Sequence, residues 1–132
     1  MQRKTIIIKV RKNYQDNVND ELRWFGSSLG LFGLRDKNSS CFRVFITLLR
    51  KAKRNEVLSS DDIAERLHLT RGTVVHHLNK LMNAGLIVRQ DKGYILREHN
   101  LQRVVDDIRS DVEATLEDLQ NVAKELDEQL SL

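Results

Sequence analysis

His76 and His77 are the residues whose type is best suited to chemistry. A neutral imidazole can ligate a metal or pass a proton near neutral pH. Neighbours on a helix point about 100° apart, so these two rings do not turn toward one ion. Helical metal pairs use a spacing of three or four, as in HExxH, and that motif is absent. His68 and His99 are distant in sequence, and Cys41 is the only cysteine, so no metal is expected. Ser59-Ser60-Asp61-Asp62 is a second polar cluster. A nucleophile would need a base and an orienting carboxylate around a pocket. Serine followed by early carboxylates is instead what a helix start needs, so no enzyme and no cofactor are expected. The histidines then serve either a core or something outside the protein, and the helix that carries them decides which.

The charge pattern favours an outside partner. Residues 1–100 hold 19 basic and 10 acidic side chains, a net of +9, while residues 101–132 hold 3 and 9, a net of −6. A basic body with an acidic tail suits a polyanion such as nucleic acid, with a solvated surface as the plain alternative. No apolar run approaches the roughly 18 residues of a membrane span. The run Thr5–Val10 is too short for a signal peptide and is broken by Lys9. A lone cysteine forms no internal disulfide, so a reducing cytoplasm is expected. The absence of proline suits a mainly helical chain.

Three segments follow from the periodicity. In residues 1–38, β-branched Thr5–Arg11 reads as a short strand. Val18, Leu22, Phe25 and Leu29 then mark one face of an amphipathic helix that either pairs copies or lines a ligand pocket. The stretch "GSSLGLFG" (26–33) lacks phosphate-loop spacing and reads as small residues that let Leu31, Phe32 and Leu34 pack closely.

In residues 39–99, Ser39 or Ser40 would cap a helix carrying Phe42, Phe45, Ile46 and Leu49 on its inner face. That helix ends in the basic run Arg50–Arg54, which is either a solvated end or a phosphate contact. Ser59 or Ser60 would cap a short helix with Ile63, Ala64 and Leu67 inward. Thr70 would cap a third, running to about Ala84 with Val74, Leu78, Leu81 and Met82 inward. Gly85 suits the left-handed exit. Leu86–Arg89 and Tyr94–Arg97 read as two strands, with Gly93 in the turn between them. In residues 100–132, Val105, Val112, Leu119 and Leu126 recur every seven residues, as do Leu101, Ile108, Thr115, Val122 and Gln129. This heptad pattern predicts a helix ~45 Å long that a second copy of the chain would cover.

Three helices, a tight turn before the last, and a hairpin make a winged helix-turn-helix. The fold class expected is therefore mainly α with a small β wing and a long C-terminal dimerisation helix. Residues 59–97, "SSDDIAERLHLTRGTVVHHLNKLMNAGLIVRQDKGYILR", resemble the ArsR/MarR-like transcription regulators, most closely over "TVVHHLNKLMNAGLI". The proline-free, charge-rich composition resembles archaeal members.

The resemblance implies a homodimer bound to double-stranded DNA, with helix 70–84 in the major groove. Thr70, Arg71, Thr73, Val75, His76 and His77 would face DNA, with Lys80 one turn later. Arg71 suits guanine or a phosphate. Val75 stands where related sequences carry a small polar residue, and it would meet a thymine methyl or join the core. Wing 86–97 would reach the backbone or minor groove with Arg89, Lys92 and Arg97. The cysteine pair of metal-sensing members is missing from "IAERLHLT", and the last helix has no histidine. A winged-helix module binding protein or RNA within a larger assembly is the alternative.

Overall fold

A computed structural model describes residues 3–10, 17–32 and 39–132. Arg11, Gly33, Leu34 and the polar break at Asp36–Asn38 lie outside the described residues. In chain order the elements are α1 (Val18–Ser28), α2 (Ser40–Ala52), α3 (Ser60–Leu67), α4 (Arg71–Asn83), β1 (Ile87–Gln90), β2 (Gly93–Leu96) and α5 (Leu101–Leu130). This is the expected winged helix-turn-helix with a long C-terminal helix.

α3, α4 and α5 start where their capping chemistry allows. Ser59 Oγ accepts the Asp62 N–H at 3.1 Å, and Thr70 Oγ1 accepts the Thr73 N–H at 3.2 Å. Asn100 Oδ1 accepts the Arg103 N–H at 2.8 Å, which starts α5. α2 differs from expectation: Ser39 holds the cap position in the left-handed region (φ 51°) and makes no side-chain cap. Its hydroxyl accepts instead from Arg23 Nη1 at 3.3 Å. The inner face of α2 is also rotated. Cys41, Phe42, Val44, Phe45 and Leu48 are buried, while Ile46 and Leu49 are only partly so.

α2 packs on α3, α4 and β2, and α4 packs on α3 and β1. Phe45, Leu48, Ile63, Val74, Leu78, Leu81, Leu86 and Val104 fill the centre. Burying a side chain of this size stabilises by roughly 1.5–3 kcal/mol. Residues 17–32 share that core. Leu31 is buried, and Phe25 stacks on Phe45 with centroids 6.3 Å apart. Gly26 makes room for Phe32, whose ring lies where a Cβ would project. Val18, on the same helical face as Leu22, Phe25 and Leu29, is 70% exposed.

No strand forms in residues 3–10. A strand needs a ladder partner, and the backbone N–H groups of Lys4 and Ile8 bond to helix ends instead. Lys4 N–H donates to Asn83 O at 3.0 Å, and Ile8 N–H to Ser28 O at 2.7 Å. The hairpin pairs Ile87 with Leu96 through Gln90 with Gly93. Its turn is Asp91-Lys92, with Asp91 left-handed (φ 55°), so Gly93 is not the residue that supplies the positive φ. Gly93 is required by close approach: a Cβ there would lie 2.7 Å from Leu58 O. Leu58 and Tyr94 exchange backbone hydrogen bonds at 3.1 and 2.8 Å, adding a one-residue edge to the wing.

α5 behaves as two halves. Val104 and Ile108 are buried, and Leu101 and Val112 pack against the core. From residue 113 onward every residue is exposed. Of the expected seam, Leu101, Ile108 and Val112 therefore pack on their own domain, while Val105, Leu119, Val122 and Leu126 face water.

Candidate nucleic-acid interface

α4 is held from one side. Val74, Leu78 and Leu81 have no exposed surface, and successive residues rotate by about 100°. The opposite face is thereby fixed: Gly72, His76, Asn79 and Asn83, spaced four, three and four apart, are all exposed. Arg71, at the first position of the helix, is exposed beside them. Thr73, Val75 and His77 form half-buried flanks. The His77 ring meets that of His76 edge-on at 5.4 Å. Thr70 donates its hydroxyl to Thr73 Oγ1 at 2.8 Å, which fixes the first turn.

Gly72 and Asn79 were not singled out by sequence reasoning. Both follow once the outward stripe is counted from His76 rather than inferred from what the core leaves over. Asn79 is chemically apt, because a carboxamide can both donate to and accept from an adenine edge. A Cβ at Gly72 would meet nothing within 4 Å, so the protein's own packing does not require glycine there.

Two of the expected contacts have other partners. Lys80 Nζ donates to Leu31 O at 2.9 Å and ties α4 to the segment after α1. Arg97, expected to reach DNA from the wing, is only 15% exposed. It meets Asp111 at 2.9 Å, Asp107 at 3.4 Å and Gly85 O at 3.5 Å. It therefore buckles the end of the wing and the exit of α4 to α5. Arg89 lies over the Tyr94 ring at 5.5 Å, and Lys92 is exposed at the tip of the wing. Arg71 pairs with Asp61 at 3.5 Å with both groups more than 70% exposed. A surface pair of that kind is worth about 0–1 kcal/mol and yields readily to a phosphate. In the basic run at the end of α2, Lys51 pairs with Glu56 at 3.1 Å, while Arg50, Lys53 and Arg54 are exposed.

Asp111 is the hub of the buckle. Arg97 beside it, aided by Arg3 at 2.6 Å, holds its carboxyl below the ordinary carboxylate range. A carboxylate with a depressed folded pKa stabilises above its unfolded value of about 3.9, and that stability is lost as pH falls through the folded value. Nearby, Glu98 is raised because it shares a hydrogen bond and like charge with Asp107. Its small effect has the opposite sign, present at low pH and lost as pH rises. The expected result is a melting temperature that drops below about pH 4, with a shallower drop in Asp111→Asn. Thermal melts from pH 6 to pH 2.5 read this directly, and identical slopes would mean that the buckle adds no stability.

No group of three or more His, Cys, Asp or Glu among the described residues is placed to hold a metal. Among the described residues, no helix is long and apolar enough to cross a membrane. Residues 46–88, from the middle of α2 into β1, match the family model described as bacterial regulatory protein, arsR family. The winged helix-turn-helix is ArsR-like. No curated protein and no solved structure matches the chain. The match ends inside the wing, before Arg97 and α5.

Proposed function

We propose that this chain is a homodimeric, sequence-specific regulator of transcription that reads duplex DNA with α4. The observation that carries this reading is the exposed stripe Gly72–His76–Asn79–Asn83, directly opposite the buried stripe of an ArsR-like recognition helix. A B-DNA major groove admits one helix, and its base edges carry a distinguishable donor and acceptor pattern. Arg71 and Thr73 open the helix beside the phosphates. His76 and Asn79 face the bases, and Val75 and His77 flank them. Thr70 contributes through its cap. Arg89 and Lys92 on the wing meet the backbone or minor groove. Arg97 and Lys80 act from behind, by fixing wing and helix. Two copies, joined through α5, place two recognition helices in successive grooves about 34 Å apart. A reducing, cytoplasmic setting suits the single buried cysteine.

The discriminating experiment compares binding to a duplex DNA pool and to structured RNA at fixed salt. Phosphate contacts by Arg71, Arg89 and Lys92 on two copies predict a steep fall of affinity with salt, close to 0.9 log units per contact per decade. Preference for duplex DNA supports the reading. Equal or tighter RNA binding sinks it in favour of an RNA-binding winged helix, and no binding to either favours a protein-interaction module.

Gly72 supplies an independent check. Alanine there favours the helix by up to about 1 kcal/mol, so Gly72→Ala should leave the melting temperature unchanged or slightly raised. The added methyl stands where the groove wall would approach, so duplex affinity should fall several-fold. Unchanged affinity would show that DNA does not approach this end of α4.

A further inference from the structure

Two cations expected on DNA are held elsewhere, Lys80 by Leu31 O at 2.9 Å and Arg97 by the carboxylates of α5. The last carbonyls of a helix carry partial negative charge, which disfavours a phosphate at the end of α4. A cation from outside the helix-turn-helix lies there. Lys4 N–H donates to Asn83 O at 3.0 Å, and this tie sets Arg3 beside the end of the exposed stripe.

Arg3 lines an open cleft of about 510 Å³ together with Asn79, Met82, Ile87, Val88 and Arg89. One wall of this cleft is α4 and the other is β1 of the wing. Arg3 and Arg89 are both exposed, and among the described residues no carboxylate lines it. Asp111 stands behind Arg3, on a separate hollow shared with Thr115 and Leu116 of α5. Arg3 therefore sits on the ridge between α5 and the face that α4 and the wing present.

We propose that this cleft seats one strand of the duplex backbone and that Arg3 grips a phosphate of it, which makes the N-terminal segment a third DNA-contacting element beside α4 and the wing. This rests on the reading that α4 binds duplex DNA and adds a contact to it. A guanidinium presents five donors in a planar fork that matches phosphate oxygens. Asp111 engages Nη1 of Arg3 at 2.6 Å, which leaves the donors of the other two nitrogens for a phosphate. The same oxygen, Asp111 Oδ2, also accepts from Arg97 Nη1 at 2.9 Å, so it orients Arg3 and neutralises it only in part. Asp111 is thus a positioning residue. Met82, Ile87 and Val88 give the cleft an apolar side suited to the deoxyribose face. A contact of this kind fixes the register of α4 on the duplex and carries no sequence information itself.

The test measures affinity of the full chain against salt on a selected duplex and on an unrelated one. Arg3→Gln should weaken both several-fold and alike. It should also lower the salt slope by about 0.9 log units per decade for each copy bound. Arg3→Lys keeps the charge and should restore the slope. Lys9→Gln is the control: Lys9 is exposed on the same segment, but its neighbour Ile8 is tied to Ser28 at the end of α1. It should change neither quantity. The Arg3–Asp111 pair is exposed on both sides, so its loss should move the melting temperature by no more than a few degrees. Neutral methylphosphonate linkages placed one at a time along the selected site give the position. At least one should weaken the wild type and leave Arg3→Gln unaffected.

An Arg3→Gln chain that matches the wild type in affinity and slope overturns the contact, and wild-type binding to the duplex leaves the α4 reading standing. A loss of affinity without a change of slope also overturns it, because Arg3 then acts through packing alone. An equal loss in Lys9→Gln does the same, because the effect is then one of diffuse charge. A wild-type chain that binds no duplex overturns the α4 reading and this contact together.

Discussion

Arg71→Ala combined with His76→Ala should lower affinity for a selected duplex site by about 100-fold while leaving nonspecific binding reduced only modestly. His76 faces the bases, and a good base contact is worth roughly 1–3 kcal/mol of discrimination, with each 1.4 kcal/mol a factor of ten; Arg71, beside the phosphates, accounts for the modest nonspecific loss. Arg71 is exposed at the start of α4, and its weak pairing with Asp61 at 3.5 Å offers little competition. His76 is exposed at the centre of the outward stripe. Neither side chain supports the core, so the melting temperature should stay within a few degrees. Binding isotherms on the selected site and on an unrelated duplex, at one salt concentration, separate the two kinds of affinity. Equal losses on both duplexes would show that these residues meet only phosphates. No loss on either would remove α4 from the DNA.

Gly93→Val should produce the largest loss of stability. A Cβ at this position would stand 2.4 Å from Val57 Cγ1, 2.7 Å from Leu58 O and 2.9 Å from Leu58 C. Two of those neighbours are backbone atoms, which cannot swing aside as a flexible side chain does. Overpacking of this kind costs about 1–3 kcal/mol. Forcing the strands apart also strains two backbone hydrogen bonds between Leu58 and Tyr94, each worth about 1 kcal/mol. A fall in melting temperature of about 10 °C is expected for a domain of this size. Lys92→Val, one residue earlier but exposed, serves as the control and should shift it little. Equal effects would mean that hairpin propensity, rather than the approach of Leu58, fixes Gly93.

The helix-turn-helix was legible because its signals are local. Ser59 and Thr70 announce helix starts through their own next three residues, and Gly85 marks an exit that needs positive φ. The inward stripe of α4 could likewise be read from spacing. What escaped were facts made by distant partners. Arg97 reads as a free cation in the wing because Asp111, fourteen residues on, becomes its neighbour only when α5 folds back. Lys80 reads as a DNA contact for the same reason, since Leu31 O is forty-nine positions away. The β-branched run at Ile6–Ile8 has strand propensity but no ladder partner, so propensity yields to context. The turn glycine was misassigned in kind: Gly93 matters for the space it leaves, while Asp91 takes the unusual backbone angle.

On the proposed reading, α4 reads base sequence twice, once from each copy of a two-fold dimer. Selection of bound sequences from a random duplex pool by the full chain checks this. The expected result is an enriched inverted repeat whose half-sites lie about one helical turn, or a multiple of it, apart centre to centre. Retained but unenriched DNA, or a single motif without a repeat, would contradict it.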